Sequence, residues 1–415
     1  MTEAAISHHP DRGSLLALAG FFAVNGALVG GVGATLPAMR SRLGIDAGGL
    51  AVLLVSLAAA AVLSMQIGGR LADSRGARSV ALPASVLLVA GVASLASAPT
   101  LPIAAAAAAL AGLGNGAMDV SMNALGVRVE QARDKPVMSR LHASFSIGNL
   151  VAAGVVLLIA RLAGDGARVI TLALVTLSAV SMAACLAIWR RVPSGSPRIP
   201  APARVSSVQP PAAGQRVPAF AVLLGAMAFS IGLTEGTAVD WSSVHVTDVA
   251  RVDPSTGALG LVAVSSFMIL VRLLGDRAVA SFGRVNVVRF GGMVAAGGYV
   301  VTLVGQLLPI LLIGWALVGL GVGMIAPQVY AVAGHAGGGR MLAIVVTFGY
   351  GAFLIGPAIV GTLIRVVGIR HAMAFPLVLS VVLVALSRVL SRSEPWEDGG
   401  RPASLAIPES PRIPR

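Results

Sequence analysis

The sequence predicts an all-α membrane protein of twelve transmembrane helices arranged as two six-helix, pseudo-symmetric halves. Composition, the spacing of apolar runs and an internal repeat carry that prediction. Of 415 residues, 56% belong to the AVILMFWYC set, 11% are charged and 50 are Gly, far more apolar than water-soluble domains run. The charges fall in bursts between apolar runs of about 20 residues, the length at which a helix crosses ~30 Å of hydrocarbon. Lipid is therefore the solvent for most of the chain.

Six apolar runs lie near 14–38, 48–69, 79–98, 101–125, 139–163 and 168–190, and six more near 218–240, 256–275, 285–307, 309–333, 341–365 and 371–390. Residues 1–13 read as a polar cytoplasmic N-terminus with no cleaved signal peptide, because the first apolar run is too long for a signal segment. The organisation is then 14–190 as the first half, 191–217 as a cytoplasmic linker rich in Pro, Ser and Ala, 218–390 as the second half, and 391–415 as a disordered cytoplasmic tail. With both termini inside, 23 of the 30 Lys and Arg fall on the cytoplasmic side and 7 outside. That asymmetry fixes the orientation, and shifting the helix count by one would scramble it.

The net charge of +13 does not point to nucleic acid. The basic residues form no continuous stretch, have no interleaved aromatics, and sit in the gaps between apolar runs. One cysteine, Cys185, excludes an intrachain disulfide and a thiolate metal cluster.

The halves repeat. Ser144-Phe145-Ser146-Ile147-Gly148 answers Thr347-Phe348-Gly349-Tyr350-Gly351 at an offset of 203, as Asp73 answers Asp276. Gly112-Leu113-Gly114 with Gly116 recurs as Gly319-Leu320-Gly321 with Gly323 at 207, and Asn25-Gly26 answers Glu235-Gly236 at 210. Parallel six-span repeats mark a transporter architecture whose site lies near the midplane between halves.

Between spans two and three stands Gly69-Arg70-Leu71-Ala72-Asp73-Ser74-Arg75-Gly76-Ala77-Arg78. It resembles the loop signature of the major facilitator superfamily, with Gly69, Leu71, Ala72, Asp73 and Gly76 matching, Arg78 supplying the terminal base, and Ser74 and Ala77 departing. Gly69 is expected to let helices approach, and Asp73 to face a helix N-terminus or pair with Arg78. The resemblance implies a latch that stabilises one access state; a solvated turn that only fixes topology is the plainer reading. Its second-half counterpart reads Arg272-Leu273-Leu274-Gly275-Asp276-Arg277. More specific are Asn115-Gly116-Ala117-Met118-Asp119-Val120-Ser121-Met122-Asn123, with Met138 to His142 after it, and Glu235-Gly236-Thr237-Ala238-Val239-Asp240-Trp241-Ser242. These resemble the MosC-like branch of that superfamily, a group of bacterial inner-membrane proteins. The resemblance spans about residues 14–390 and implies the major facilitator fold and secondary transport of a small solute. It does not extend to the Gly-Pro of span five or the Arg of span four that drug antiporters carry; Gly356-Pro357 stands in span eleven instead. Import and export both stay open.

Ionisable groups inside hydrocarbon cost at least ~2.5 kcal/mol each, so they are functional candidates by default. Glu235, deep in span seven, is expected to bind a proton or substrate; the alternative is a carboxylate satisfied by a neighbouring helix. Asp119 shares a helix face with Asn123 and suits either coupling or a structural contact to Arg128 or Arg140. Asp240 reads as an interfacial residue beside Trp241. His142 at the start of span five is either a proton relay or, more commonly for such a position, a hydrogen-bonded structural residue. Asn25, Asn149, Gln328 and Tyr350 either read a substrate by hydrogen bonds or join helices. The Gly-rich runs of spans four and ten read as close-packing surfaces.

No G-x-x-x-x-G-K-[ST], HExxH or GxSxG occurs, so no nucleotide drive, enzyme or cofactor is expected. The reading is a proton-coupled secondary transporter acting as a monomer in the bacterial inner membrane on a small organic solute, which the polar residues of the spans suggest is polar and sugar-like. Its partners are solute, protons and the lipid bilayer. A non-transporting sensor on the same scaffold and an uncoupled facilitator are the alternatives.

Overall fold

The computed structural model describes residues 12–133, 137–164, 167–192 and 219–393, which are helical almost throughout and include no strand. Among the described residues twelve helices are long and apolar enough to cross a membrane: α1 (Gly13–Leu43), α2 (Ala47–Arg75), α3 (Ala77–Ser97), α4 (Leu101–Glu130), α5 (Arg140–Ala163), α6 (Arg168–Arg191), α7 (Ala219–Ala250), α8 (Pro254–Gly275), α9 (Arg277–Val304), α10 (Leu308–Ala333), α11 (Ile344–Ala372) and α12 (Ala374–Ser391). The expected polar N-terminus, linker and tail fall almost wholly outside the described residues.

Helix α7 runs to Ala250, not to about 240. A hydropathy window closes at the first charge, whereas a helix continues until its backbone is broken. Here the break is Arg251, at φ 54, where the Val252 N–H returns to the Thr247 carbonyl at 3.2 Å. Asp240 is therefore ten residues inside its helix. Trp241 is 1% exposed, packed in the core, so the expectation of an interfacial pair at 240–241 is corrected.

The repeat is written into the packing. A Cβ on Gly112 would lie 2.1 Å from the Leu57 carbonyl oxygen, and one on Gly319 2.2 Å from that of Val264. A Cβ on Gly114 would meet the Leu88 nitrogen at 2.1 Å, and one on Gly321 the Ala295 nitrogen at 2.4 Å. Every partner in these pairs is displaced by 207 residues, so α4 packs on α2 and α3 as α10 packs on α8 and α9. The Gly-rich runs are close-packing surfaces, where only hydrogen fits between backbones. The same offset relates Gly76 (φ 88) to Gly283 (φ 73), the left-handed residues that turn α2 into α3 and interrupt the continuous helix Leu259–Val304 within α9. This register places Gly69 opposite Asp276 and Asp73 opposite Ala280. The pairing of Asp73 with Asp276 at 203 is thus corrected: the second half does not carry the aspartate in register.

The halves also meet at the face where α1, α7 and α11 end. Ala34, Ala153, Val156 and Ala173 of the first half form a buried apolar cluster with Ala258 and Leu261 of the second. Arg40 of α1 makes a two-pronged ion pair with Asp248 of α7, and Arg365 Nε of α11 lies 3.4 Å from Asp46 Oδ2. Asp46 also caps α2, accepting from the Gly49 N–H at 2.9 Å.

Candidate functional site

The side chain that joins the two halves within the membrane is Arg272, near the end of α8. Its Nη2 donates to Glu235 Oε1 of α7 at 2.9 Å, its Nη1 to Ser146 Oγ of α5 at 2.7 Å, and its Nε to the Gly323 carbonyl of α10 at 3.2 Å. Both charged side chains are mostly enclosed, 12% exposed for Arg272 and 19% for Glu235. Such a pair is strong because both charges are largely shielded from water and each of the three guanidinium nitrogens donates a hydrogen bond. The sequence grouped Arg272 with the second-half loop; the structure places it inside, on Glu235. Ser146, its first-half acceptor, belongs to the repeat string at 144–148.

A second polar link crosses the halves between α4 and α11. Tyr350 Oη donates to Asp119 Oδ2 at 3.3 Å, and Asn123 Nδ2 donates to Asp119 Oδ1 at 3.0 Å and to its carbonyl at 2.8 Å. Neither Arg128 nor Arg140 pairs with Asp119, so the contact weighed from sequence is not made. Arg128 keeps a buried Nη1 without a hydrogen bond. The nearby acid Glu130 instead accepts from the N–H groups of Val137 and Met138 at 2.7 and 3.1 Å, where α5 begins. Tyr330, which the sequence did not single out, lies within electrostatic reach of both Glu235 and Asp119. Its only sequence signal is a phenol in the apolar α10.

The remaining candidates flank this centre. His142 is exposed, packs edge-on to Phe22 at 5.4 Å between ring centroids, and lies within electrostatic reach of Arg272. Asn25 is buried and donates to Asn115 Oδ1 at 3.1 Å, joining α1 to α4. Asn149 is buried with its Oδ1 unpartnered, turned to α1, where a Cβ on Gly30 would come within 2.7 Å of it. Gln328 is buried. In this conformation these amides sit between helices. Among the described residues no group of three or more His, Cys, Asp or Glu could hold a metal ion.

Comparison with known proteins now adds to this geometry. The Major Facilitator Superfamily profile matches residues 16–338. The chain belongs to the major facilitator superfamily. An uncharacterized transporter of Sinorhizobium fredii, y4wD, is 30% identical over 377 residues, covering 89% of this chain and 96% of that protein. The membrane protein MosC of Rhizobium meliloti is 27% identical over 385 residues, covering 91% and 90%. Among solved structures, a point variant of the nucleoside transporter NupG aligns with a TM-score of 0.66 at 13% identity, over 91% of this chain and 99% of that one. A bacterial homolog of the human lysosomal transporter Spinster aligns at 0.65 and 14%, over 91% and 96%. At these identities the two structures speak for the fold alone.

The superfamily loop between α2 and α3 is arranged differently from the sequence expectation. Arg78 does not pair with Asp73. Its Nη2 donates to the Trp189 carbonyl at 3.2 Å, and its guanidinium stacks on that indole, 4.9 Å from the ring centroid. Asp73 is exposed and makes no hydrogen bond or ion pair among the described residues. Gly69 has only an ordinary neighbour, Val120 Cγ1 at 3.7 Å from a Cβ position, whereas Gly68 is the close approach, 3.0 Å from Ala117 Cα. The side chain of Asp276 lies outside the described residues. Gly76, at φ 88, makes the turn from α2 into α3.

Proposed function

We propose that this superfamily member is a secondary active transporter that moves a small organic solute by alternating access, driven by protons. The observation that carries the reading is the span of Arg272, which holds Glu235 of its own half and Ser146 of the other at once. A side chain so placed must release one partner when the halves rock apart. The Asp119–Tyr350 link must part in the same motion. The Arg40–Asp248 and Asp46–Arg365 pairs at the opposite face are the contacts that the reverse motion separates. Protons drive such a cycle only if protonation changes which state is favoured. Carboxylates in contact with the other half, or with a side chain that spans to it, satisfy that requirement.

The proposed setting is the bacterial inner membrane, monomeric, with both termini cytoplasmic and with Asn25, Asn123, Asn149, Tyr350 and His142 around the solute path. The test is uptake by the full chain in lipid vesicles under an imposed pH gradient. Sugars, cyclitols, amino acids and cationic dyes serve as candidate solutes, and Glu235→Gln and Asp119→Asn run beside wild type. Flux of one class that follows the gradient, and that loses this dependence in a carboxylate variant, is the expected result. Flux indifferent to the gradient in wild type would leave facilitated diffusion in its place.

A further inference from the structure

The carboxylates of the spans form an inventory with one outlier. Asp119 is held by Tyr350 and Asn123, Glu130 by the start of α5, Glu235 by Arg272 and Asp248 by Arg40. Asp73 is exposed at the end of α2. Asp240, partly enclosed and ten residues inside α7, makes no hydrogen bond or ion pair among the described residues.

It is not in an inert place. Asp240 lines a small pocket in the α7–α11 seam with Gly232, Gly236, Phe353, Gly356 and Pro357. Gly232, Gly236 and Asp240 recur every four residues and share one face of α7. A Cβ on Gly232 would come within 2.8 Å of the Ala352 Cβ and 3.0 Å of the Gly349 carbonyl oxygen, so the missing side chain lets α11 close on this face. Pro357 has no N–H, and the carbonyl it would have served is that of Phe353, four residues earlier, in the same pocket. The seam thus brings together an acid with no donor and a carbonyl without its helical donor.

We propose that Asp240 is a proton-exchange site, carrying its proton on the carboxyl group while the seam is closed and donating it to the Phe353 carbonyl. The O–H then satisfies both orphaned groups. When the seam opens to water the proton leaves to water and the hydrated carboxylate remains, and closure reverses both steps. The titratable groups on the packed elements have partners of their own except His245. On α7, Glu235 is on Arg272, Asp248 is on Arg40 of α1, and His245 packs edge-on to Trp315 of α10 with neither ring nitrogen hydrogen-bonded. On α11, Arg365 is on Asp46 before α2, and Tyr350 is on Asp119 of α4. On α9, Tyr299 donates to the Thr234 carbonyl at 2.7 Å; Tyr330 of α10 faces Glu235 and Asp119; and α12 carries one basic residue, Arg388, in its last turn. A transport role for this proton rests on the reading above, but the site is tested without a solute.

The test is infrared difference spectroscopy of the full chain in lipid vesicles during a pH titration. Wild type is expected to show a protonated-carboxyl C=O band at neutral pH that Asp240→Asn removes, while Glu235→Gln and Asp119→Asn retain it. Pro357→Ala restores an N–H to the Phe353 carbonyl, so the band is expected to move to higher frequency as the carboxyl group shares its acceptor with that N–H. A band that Asp240→Asn leaves undiminished, or that keeps its position in Pro357→Ala, overturns the proposal. Should Asp240→Asn fail to fold, Pro357→Ala decides alone. Loss of the band in Asp240→Asn supports the site even where no solute flux is found, so failure of the transport reading registers separately.

Discussion

Replacing Arg272 with Met keeps much of the stem volume but removes the guanidinium, leaving Glu235 enclosed and without its counter-charge. Breaking one side of a buried ion pair costs about 3–5 kcal/mol, mostly from the stranded charge. Glu235 retains 19% exposure, which admits some water and sets the expectation at the low end, about 3 kcal/mol. In a chain of this size that corresponds to a fall in melting midpoint of roughly 3 °C. The double variant Arg272→Met with Glu235→Gln removes the stranded charge and is expected to regain more than half of the loss. Ser146 and Gly323 remain without their donor in both, so recovery is incomplete. Thermal unfolding of the four purified proteins in one detergent closes the double-mutant cycle. A double variant as unstable as Arg272→Met would show that the two charges are not coupled, and the reading of Arg272 as Glu235's partner would fail.

Three further outcomes follow from the packing and the opposite-face pairs. Gly114→Ala and Gly321→Ala push a methyl group to within 2.1 and 2.4 Å of main-chain nitrogen atoms and are expected to cost about 1–3 kcal/mol each, whereas Gly154→Ala meets nothing within 4 Å and should be stable in the same unfolding assay. In a Cys185→Ser background, Arg40→Ala is expected to raise labelling of an Ala34→Cys thiol by a membrane-impermeant maleimide several-fold, because the pair to Asp248 no longer holds the halves together; unchanged labelling would remove this pair from the gate. The Gly49 N–H holds the Asp46 carboxyl below the usual range, with a smaller contribution from Arg365. Its stabilisation is therefore complete above the ordinary carboxylate pKa and is lost as pH falls through the lower folded-state value, so the melting midpoint of Asp46→Asn should decline less than that of wild type on the acid side.

Helix number and type were legible because hydrocarbon demands some twenty apolar residues per crossing and tolerates charges mainly at the ends. The face each helix turns inward was not. In lipid both faces of a helix are apolar, so the amphipathic stripe that orients a soluble helix is weak. That is why Trp241 looked like an interface anchor and is buried, and why Tyr330 was passed over. Arg272 misled for another reason. A long cation near a span end ordinarily snorkels to the surface, and only the position of Glu235 on another helix turns it inward. Asp119 with Asn123 was legible as a pair because both lie on one helix; its partner Tyr350 is 231 residues away.

The two central acids are not equivalent, and their partners say which one suits proton coupling. Glu235 faces a cation, with Arg272 Nη2 at 2.9 Å, so its charge is balanced by the pair it makes. Asp119 receives only neutral donors, a phenol at 3.3 Å and an amide at 3.0 Å. Adding a proton there cancels a charge that no cation balances among the described residues, and it deprives Tyr350 of a charged acceptor across the halves. The link between α4 and α11 then weakens while the Arg272 link stays intact, so protonation acts on one inter-half contact and not the other. Asp119→Asn, which mimics the protonated acid, should therefore abolish the pH dependence of solute flux. Glu235→Gln should lower flux while retaining it. The opposite assignment, with pH dependence lost in Glu235→Gln and kept in Asp119→Asn, would mean that the Arg272 pair itself opens on protonation.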